Sequence, residues 1–210
     1  MIFKSIFTIF FLLFSIQLIA QDSDYLIMIN GDSVNVKIKS LVQKNVKVRL
    51  ENGQKIAYST DEGLVKEIYW KKKKQRYQSV AIELSYPLDF EKRTIFKPKS
   101  SISHDSKHFL PLDHDGRIKV FRSAFYDTKD RLLLKYYISQ DGTPAYEIPD
   151  VMHNLRSFVN TKNSRFFKNF LKDCPQLASK FDDNTRLTKN ELYTILRDYN
   201  TICPNTLVQQ

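Results

Sequence analysis

From residue 25 to residue 70, apolar side chains recur at every second position between tight-turn dipeptides. Successive side chains of a strand point to opposite faces, so this alternation dictates strands with one buried side. Tyr25 to Asn30 is apolar and extended, and Asn30-Gly31-Asp32-Ser33 is a turn signal. Val34, Val36 and Ile38 then share one face, and Val46, Val48 and Leu50 repeat the pattern. Glu51-Asn52-Gly53-Gln54 is a hairpin signal, because Asn-Gly accepts the positive φ that two-residue hairpins need. Ile56 and Tyr58 continue beyond it. In a fifth strand, Leu64, Ile68 and Trp70 are expected on one face, with Val65 and Tyr69 on the other. Short strands joined by tight turns predict a small meander or barrel over residues 21–76. A β-module of that size is marginal alone, so it is expected to pack on the strands C-terminal to it.

Residues 77–148 are also rich in strand signals. Val80, Ile82, Leu84 and Tyr86 alternate strictly. Residues 87–116, with Pro87, Pro98, Pro111 and many charges, read as a long irregular connection. Arg117 to Arg122 and Arg131 to Ser139 follow as strands, the latter with Leu132, Leu134, Tyr136 and Ile138 on one side. Residues 149–210 change period. Val151, Leu155, Phe158 and Val159 permit one helix, and Phe166, Phe167, Phe170, Leu171 and Cys174 follow helical spacing in another. Pro175 opens a short helix whose inner face holds Leu177 and Phe181. Thr188 followed by Glu191 is a capping box, ahead of the stripe Leu192, Ile195, Leu196, Tyr199 and Ile202. The expected class is α+β: mainly antiparallel β, with a small N-terminal meander or barrel, a central sheet and a C-terminal helical segment.

Residues 1–20 have the layout of a secretory signal peptide: Lys4, then a nearly unbroken apolar run from Ile6 to Ala20, then the polar Gln21, Asp22, Ser23, Asp24. The run is shorter than the roughly 20 apolar residues that a membrane span needs. An exported chain starting near Gln21 is expected, periplasmic or at the cell surface, with no transmembrane helix. Only Cys174 and Cys203 are present. In an oxidising compartment such a pair most simply forms one disulfide, and the alternative is two buried thiols. The formal charge is +10, and it is uneven: residues 21–65 balance six cations with six acids, whereas residues 66–99 hold ten cations against four acids.

Several segments together look like a family of uncharacterised exported proteins from Bacteroidota. "INGDSVNVKI" resembles that family's first hairpin, and "YSTDEGLVKEIYW" with "RYQSV" resembles the hand-over from its barrel to the next sheet. "DGRIKVFR" and "KYYISQDGTPAYEI" resemble its central strands. "FLKDCPQLASKF" and "LRDYNTIC" resemble its closing helices and place its two cysteines at Cys174 and Cys203. The resemblance implies an exported β-plus-helix protein with no established activity, so it carries over no catalytic residues. The His- and Asp-rich segment from His104 to Asp115 and the unbroken Lys71–Lys74 run depart from the family's pattern.

Those departures are the chemical candidates. Lys71, Lys72, Lys73, Lys74 and Arg76 lie among Tyr69, Trp70 and Tyr77, a mixture of cations and rings that suits a polyanion. Export makes nucleic acid an unnatural partner and favours an anionic envelope glycolipid or polysaccharide, or a protein. The ordinary reading is a solvated loop or a sheet edge protected by lysine. His104, His108 and His114, with Asp105, Asp113 and Asp115, carry the ligand types of a divalent-metal site, although their spacing matches no zinc motif. The ordinary reading there is a polar loop turning at Asp115-Gly116. Phe166, Phe167, Phe170, Tyr136 and Tyr137 fit a core better than a ligand pocket. There is no G-x-S-x-G, H-E-x-x-H, phosphate-binding Gly loop or C-x-x-C. The expectation is therefore a non-catalytic exported envelope protein, a binding or accessory module with a basic contact surface and no cofactor. The alternatives are a metal-dependent enzyme built on the His104/His108/His114 loop and a structural or secretion scaffold.

Overall fold

The computed structural model describes residues 23–83, 107–126, 132–149, 151 and 157–203. Residues 1–20, Leu84, Tyr86, His104 and Leu155 lie outside the described residues. The chain divides into two compact units between Ser79 and Val80.

The first unit is an antiparallel meander. Its strands are β1 (Asp24–Met28), β2 (Ser33–Leu41), β3 (Asn45–Arg49), β4 (Lys55–Ser59), β5 (Val65–Trp70) and the first half of β6 (Gln75–Glu83), in the order β6-β5-β1-β2-β3-β4. β2 serves two neighbours: Ser33 to Val36 pair with β1, and Lys37 to Leu41 pair with β3. Val36, Ile38, Val46 and Val48 are buried, as the alternation predicts, and Leu26 and Ile68 are fully buried with them. Gly53 takes φ +85° in the β3–β4 turn, where any side chain would be strained. The fifth strand differs from expectation. Its pairing with β1 slips, so that Val65 opposes Met28 while Ile68 opposes Leu26. A one-residue slip reverses parity. Val65 and Ile68 are therefore both buried, and Leu64 is exposed.

The second unit contains the barrel. The end of β6 is joined by β7 (Lys107–His114), β8 (Ile118–Tyr126), β9 (Leu132–Gln140) and β10 (Ala145–Glu147), in the order β10-β9-β8-β7-β6. Parallel pairing of Ala145 with Ile82 brings β10 back onto β6 and closes a five-stranded mixed barrel. Closure thus occurs in the central strands, for which the sequence predicts only a sheet. Val80, Ile82, Leu110, Leu112, Phe121, Tyr137 and Ala145 form one core cluster of these strands. Ile118, Val120, Tyr136 and Ile138 instead join the helices in a second cluster. β9 is buried on both faces near its end, which is why its alternation is blurred. β7 occupies the end of the stretch expected to be an irregular connection, and Pro111 sits inside it between the buried Leu110 and Leu112.

Among the described residues, three α-helices come next: α1 (Ser164–Phe170), α2 (Pro175–Ala178) and α3 (Lys189–Ile202). Phe166, Phe167, Phe170, Leu177, Phe181, Leu192, Ile195, Leu196 and Tyr199 are buried. The Phe167 and Phe181 rings stack at 5.5 Å, and Phe166 meets Phe167 edge-on at 5.4 Å. Ile202 departs from the expected stripe and is 41% exposed. The capping box forms: the Glu191 amide donates to Thr188 Oγ1, and the Thr188 amide donates to the Glu191 carboxylate at 2.7 Å. Phe158 and Val159 are extended rather than helical. Both of their amides donate to the Leu187 carbonyl, and the Leu187 amide returns to Val159. The Asn163 side chain fixes that segment by donating to the carbonyls of Pro149 and Phe158. Cys174 and Cys203 are joined in a disulfide with Cα atoms 5.4 Å apart, tying the start of α2 to the end of α3. No helix among the described residues is long and apolar enough to cross a membrane.

Candidate anion-binding surface

The lysine run forms the turn between β5 and β6. Lys71–Lys73 make one 3-10 turn, and the Lys74 amide donates to the Lys71 carbonyl at 2.9 Å. Lys74 has φ 48°, the left-handed conformation that glycine or asparagine adopts more easily. Asp24 anchors the turn: its carboxylate accepts from the Lys71 amide at 2.8 Å and from the Ile38 amide at 2.9 Å. Lys71, Lys72, Lys73 and Lys74 are all exposed. The Lys73 ammonium lies 4.5 Å from the centre of the half-buried Trp70 ring, a cation–π contact.

The remaining residues of this set have other partners. Arg76 donates twice to Glu67, each time at 2.8 Å, and Glu67 also accepts from Gln78 at 3.0 Å. Tyr77 is in the core at 8% exposure. The structure thus gathers Trp70 and the lysines, commits Arg76 to an acid and turns Tyr77 inward.

A second group of cations escapes charge counting. Lys37 on β2 sits directly opposite Arg49 on β3, and Arg49 sits directly opposite Lys55 on β4. Lys39, at the bulge of β2, and Lys47, opposite Ser40, flank this row. All five are exposed. Residues 21–65 are neutral in sum, but the acids Asp32, Glu51, Asp61 and Glu62 lie in turns. The signal was present in the alternation: the residues between the buried valines of β2 and β3 are mostly cationic.

His108 and His114 lie buried on β7, at 2% and 9% exposure. The His114 ring is 5.0 Å from the Tyr193 ring, and its Nε2 has no hydrogen-bond partner. Burial lowers the His114 pKa below the ordinary imidazole value, with Arg197 adding to the shift and Asp115 opposing it. Asp113 is held by Lys189 at 2.6 Å and by Arg122 at 3.5 Å. Among the described residues, no three His, Cys, Asp or Glu side chains are grouped to hold a metal ion. His104 and Asp105 lie outside those residues.

Around the disulfide is a polar network with a bracing role. Arg117 donates to Asp141 at 3.0 and 2.9 Å and to the Cys203 carbonyl at 3.0 Å, and its guanidinium lies 4.7 Å from the centre of the Tyr199 ring. The Tyr199 hydroxyl donates to Asp173, and Gln140 donates to Asp173 at 2.8 Å. Burial and then the bond to Asp173 push the Tyr199 pKa up, so the phenol stays protonated and donating. These contacts fasten the residues just before β8 and at the end of β9 to α3 and to the connection between α1 and α2. In a recess lined by Arg165, Lys168, Phe181, Asp182 and Asp183, Arg165 is committed to Asp183, to which it donates twice at 2.8 Å.

Fold and surface define a mainly β protein, meander plus mixed barrel plus helices, with two groups of exposed cations on the meander. Comparison with protein-family models, with curated proteins and with solved structures returns no match.

Proposed function

We propose that the chain is an exported, non-catalytic envelope protein that binds an anionic partner through the basic surface of its first unit. The observation that carries this reading is the Lys71–Lys74 turn: four exposed ammonium groups on one hydrogen-bonded turn, with lysine kept at a left-handed position. Edge protection needs neither the strained residue nor the anchoring of the turn by Asp24. The leader at residues 1–20, the oxidised cysteine pair and the resemblance to exported Bacteroidota proteins support the compartment. That compartment makes an envelope polysaccharide or glycolipid the natural polyanion. A metal-dependent enzyme is the weaker reading, because His108 and His114 are buried in a strand and Asp113 is committed to Lys189.

The test compares the mature chain, residues 21–210, with a variant carrying Gln at positions 71 to 74 on a dextran sulfate column over a salt series. Each lost phosphate-like contact flattens the log–log salt slope by roughly 0.7–0.9. The variant should elute at much lower salt, with a slope reduced by about three to four where all four ammonium groups make contact. Equal retention at every salt concentration would overturn the reading.

A further inference from the structure

The row Lys37–Arg49–Lys55 is unusual because the sheet is destabilised by it. Directly opposed like charges repel across a strand pair. Here two such oppositions share Arg49, and among the described residues none of Lys37, Lys39, Lys47, Arg49 and Lys55 has an ion pair with a carboxylate. Lys39 shows the crowding: partial desolvation, then Arg49, Lys37 and Lys55, lower its pKa below the ordinary lysine value. Protection of a sheet edge covers Lys55 on the terminal β4, and Lys37 and Lys39 on the stretch of β2 that pairs with β3 alone, but not Arg49 and Lys47 on β3, which is paired on both sides.

We propose that the solvent face of β2, β3 and β4 seats a linear carboxylated or sulfated polysaccharide, which crosses the strands along Lys37, Arg49 and Lys55. Neighbouring strands lie about 4.8 Å apart, so the row offers a cation at each strand along a line about 10 Å long. A polymer bearing an acid on each repeat matches such a row. Asp24 extends the track. By accepting from the amides of both Ile38 and Lys71, it fastens the lysine turn to the stretch of β2 that Lys37 and Lys39 flank.

Two features favour a polysaccharide over other polyanions. Single-stranded nucleic acid is held by open aromatic faces on which bases stack. On this unit the Tyr25 and Tyr69 rings stack on each other at 5.2 Å, and Trp70 is covered by Lys73. A lipid surface would be met by apolar side chains among the cations. The outward residues of β3 and β4 are Asn45, Lys47, Arg49, Lys55, Ala57 and Ser59, none of them large and apolar.

This proposal rests on the anion-binding reading above, and one experiment separates the two. Binding of the mature chain to polygalacturonate, dextran sulfate, neutral dextran and an oligo-dT strand is measured over a salt series. The same series is run for a row variant (Lys37→Gln, Arg49→Gln, Lys55→Gln) and for the turn variant with Gln at 71 to 74. The row variant should lose at least tenfold in affinity for both acidic polysaccharides at low salt and flatten the salt slope by about two to three. It should melt no lower than the parent chain, since its removed charges repel. If it melts lower, the single variants Lys37→Gln and Lys55→Gln decide, each with an expected loss of at least threefold. Full affinity in the row variant together with loss in the turn variant overturns the row while leaving the turn as the contact. Full affinity in the turn variant together with loss in the row variant overturns the turn and leaves the row as the contact, and full affinity in both variants, or no binding of the parent chain to either acidic polysaccharide, overturns both readings. Tighter binding to oligo-dT than to both acidic polysaccharides overturns the assignment of the ligand.

Discussion

Reduction of the Cys174–Cys203 bridge isolates one contribution to stability without removing any side chain. The bridge closes a loop with a sequence separation of 29. In the chain-entropy account, a loop of that length restricts the unfolded chain by about 12 cal/mol/K, or about 3.6 kcal/mol at 25 °C. The native side adds little to set against this. Cys174 and Cys203 are 3% and 6% exposed, and Leu171, Leu177, Leu196 and Tyr199 of the same core cluster are fully buried. Both cysteines belong to the second unit, whose melting should fall by roughly 10–20 °C for a unit of this size. Melts followed by tyrosine fluorescence and far-ultraviolet circular dichroism, with and without reductant, read the shift. Backbone amide exchange localises it: protection should fall in α1 to α3 and in β8, and stay the same in β2 to β4. A reduced chain that melts within a degree or two of the oxidised one would show that the bridge contributes nothing measurable and that packing alone constrains the loop.

Individual groups carry further expectations. His114 is buried and its folded pKa is depressed, so the unfolded chain takes up its proton first. The stability due to its neutral form is complete above the unfolded value of 6.5 and is lost as pH falls from there through the folded value. Urea midpoints between pH 8 and pH 5 should therefore fall less steeply for His114→Phe than for the parent chain, and parallel curves would contradict the assignment. Thr188→Ala removes the acceptor for the Glu191 amide and should destabilise the second unit by about 1 kcal/mol, read from the same urea midpoints. Lys74→Gly relieves the φ of 48° and should raise the melting temperature of the first unit slightly, with no loss of the turn's hydrogen bond.

Local chemistry was largely legible before the structure. Val36, Ile38, Val46 and Val48 are buried because strand parity and an Asn-Gly turn leave little choice of register. The Thr188–Glu191 cap and the cysteine pair form where their spacing places them. Non-local pairing was not legible. Nothing near Ala145 announces its parallel partner Ile82, so the closed barrel could not be read from alternation. Double burial of β9 hides the period on which strand faces are recognised. The slip in β5 moves Val65 to the side of Ile68 by a bulge that leaves no mark in hydrophobicity. The candidate surface was half visible. The contiguous lysines at 71 to 74 stand out in a linear count, whereas Lys37, Arg49 and Lys55 become neighbours only through register, and the acids in the turns cancel them in any sum.

Export joins the crosslink, the compartment and the choice of an envelope polyanion, so it is the claim to test first. Intact mass of the native polypeptide, with a thiol label applied before and after reduction, reads it directly. Export gives a chain that begins near Gln21 and takes up label only after reduction. A chain retaining residues 1–20, with Cys174 and Cys203 labelled without reductant, would contradict it.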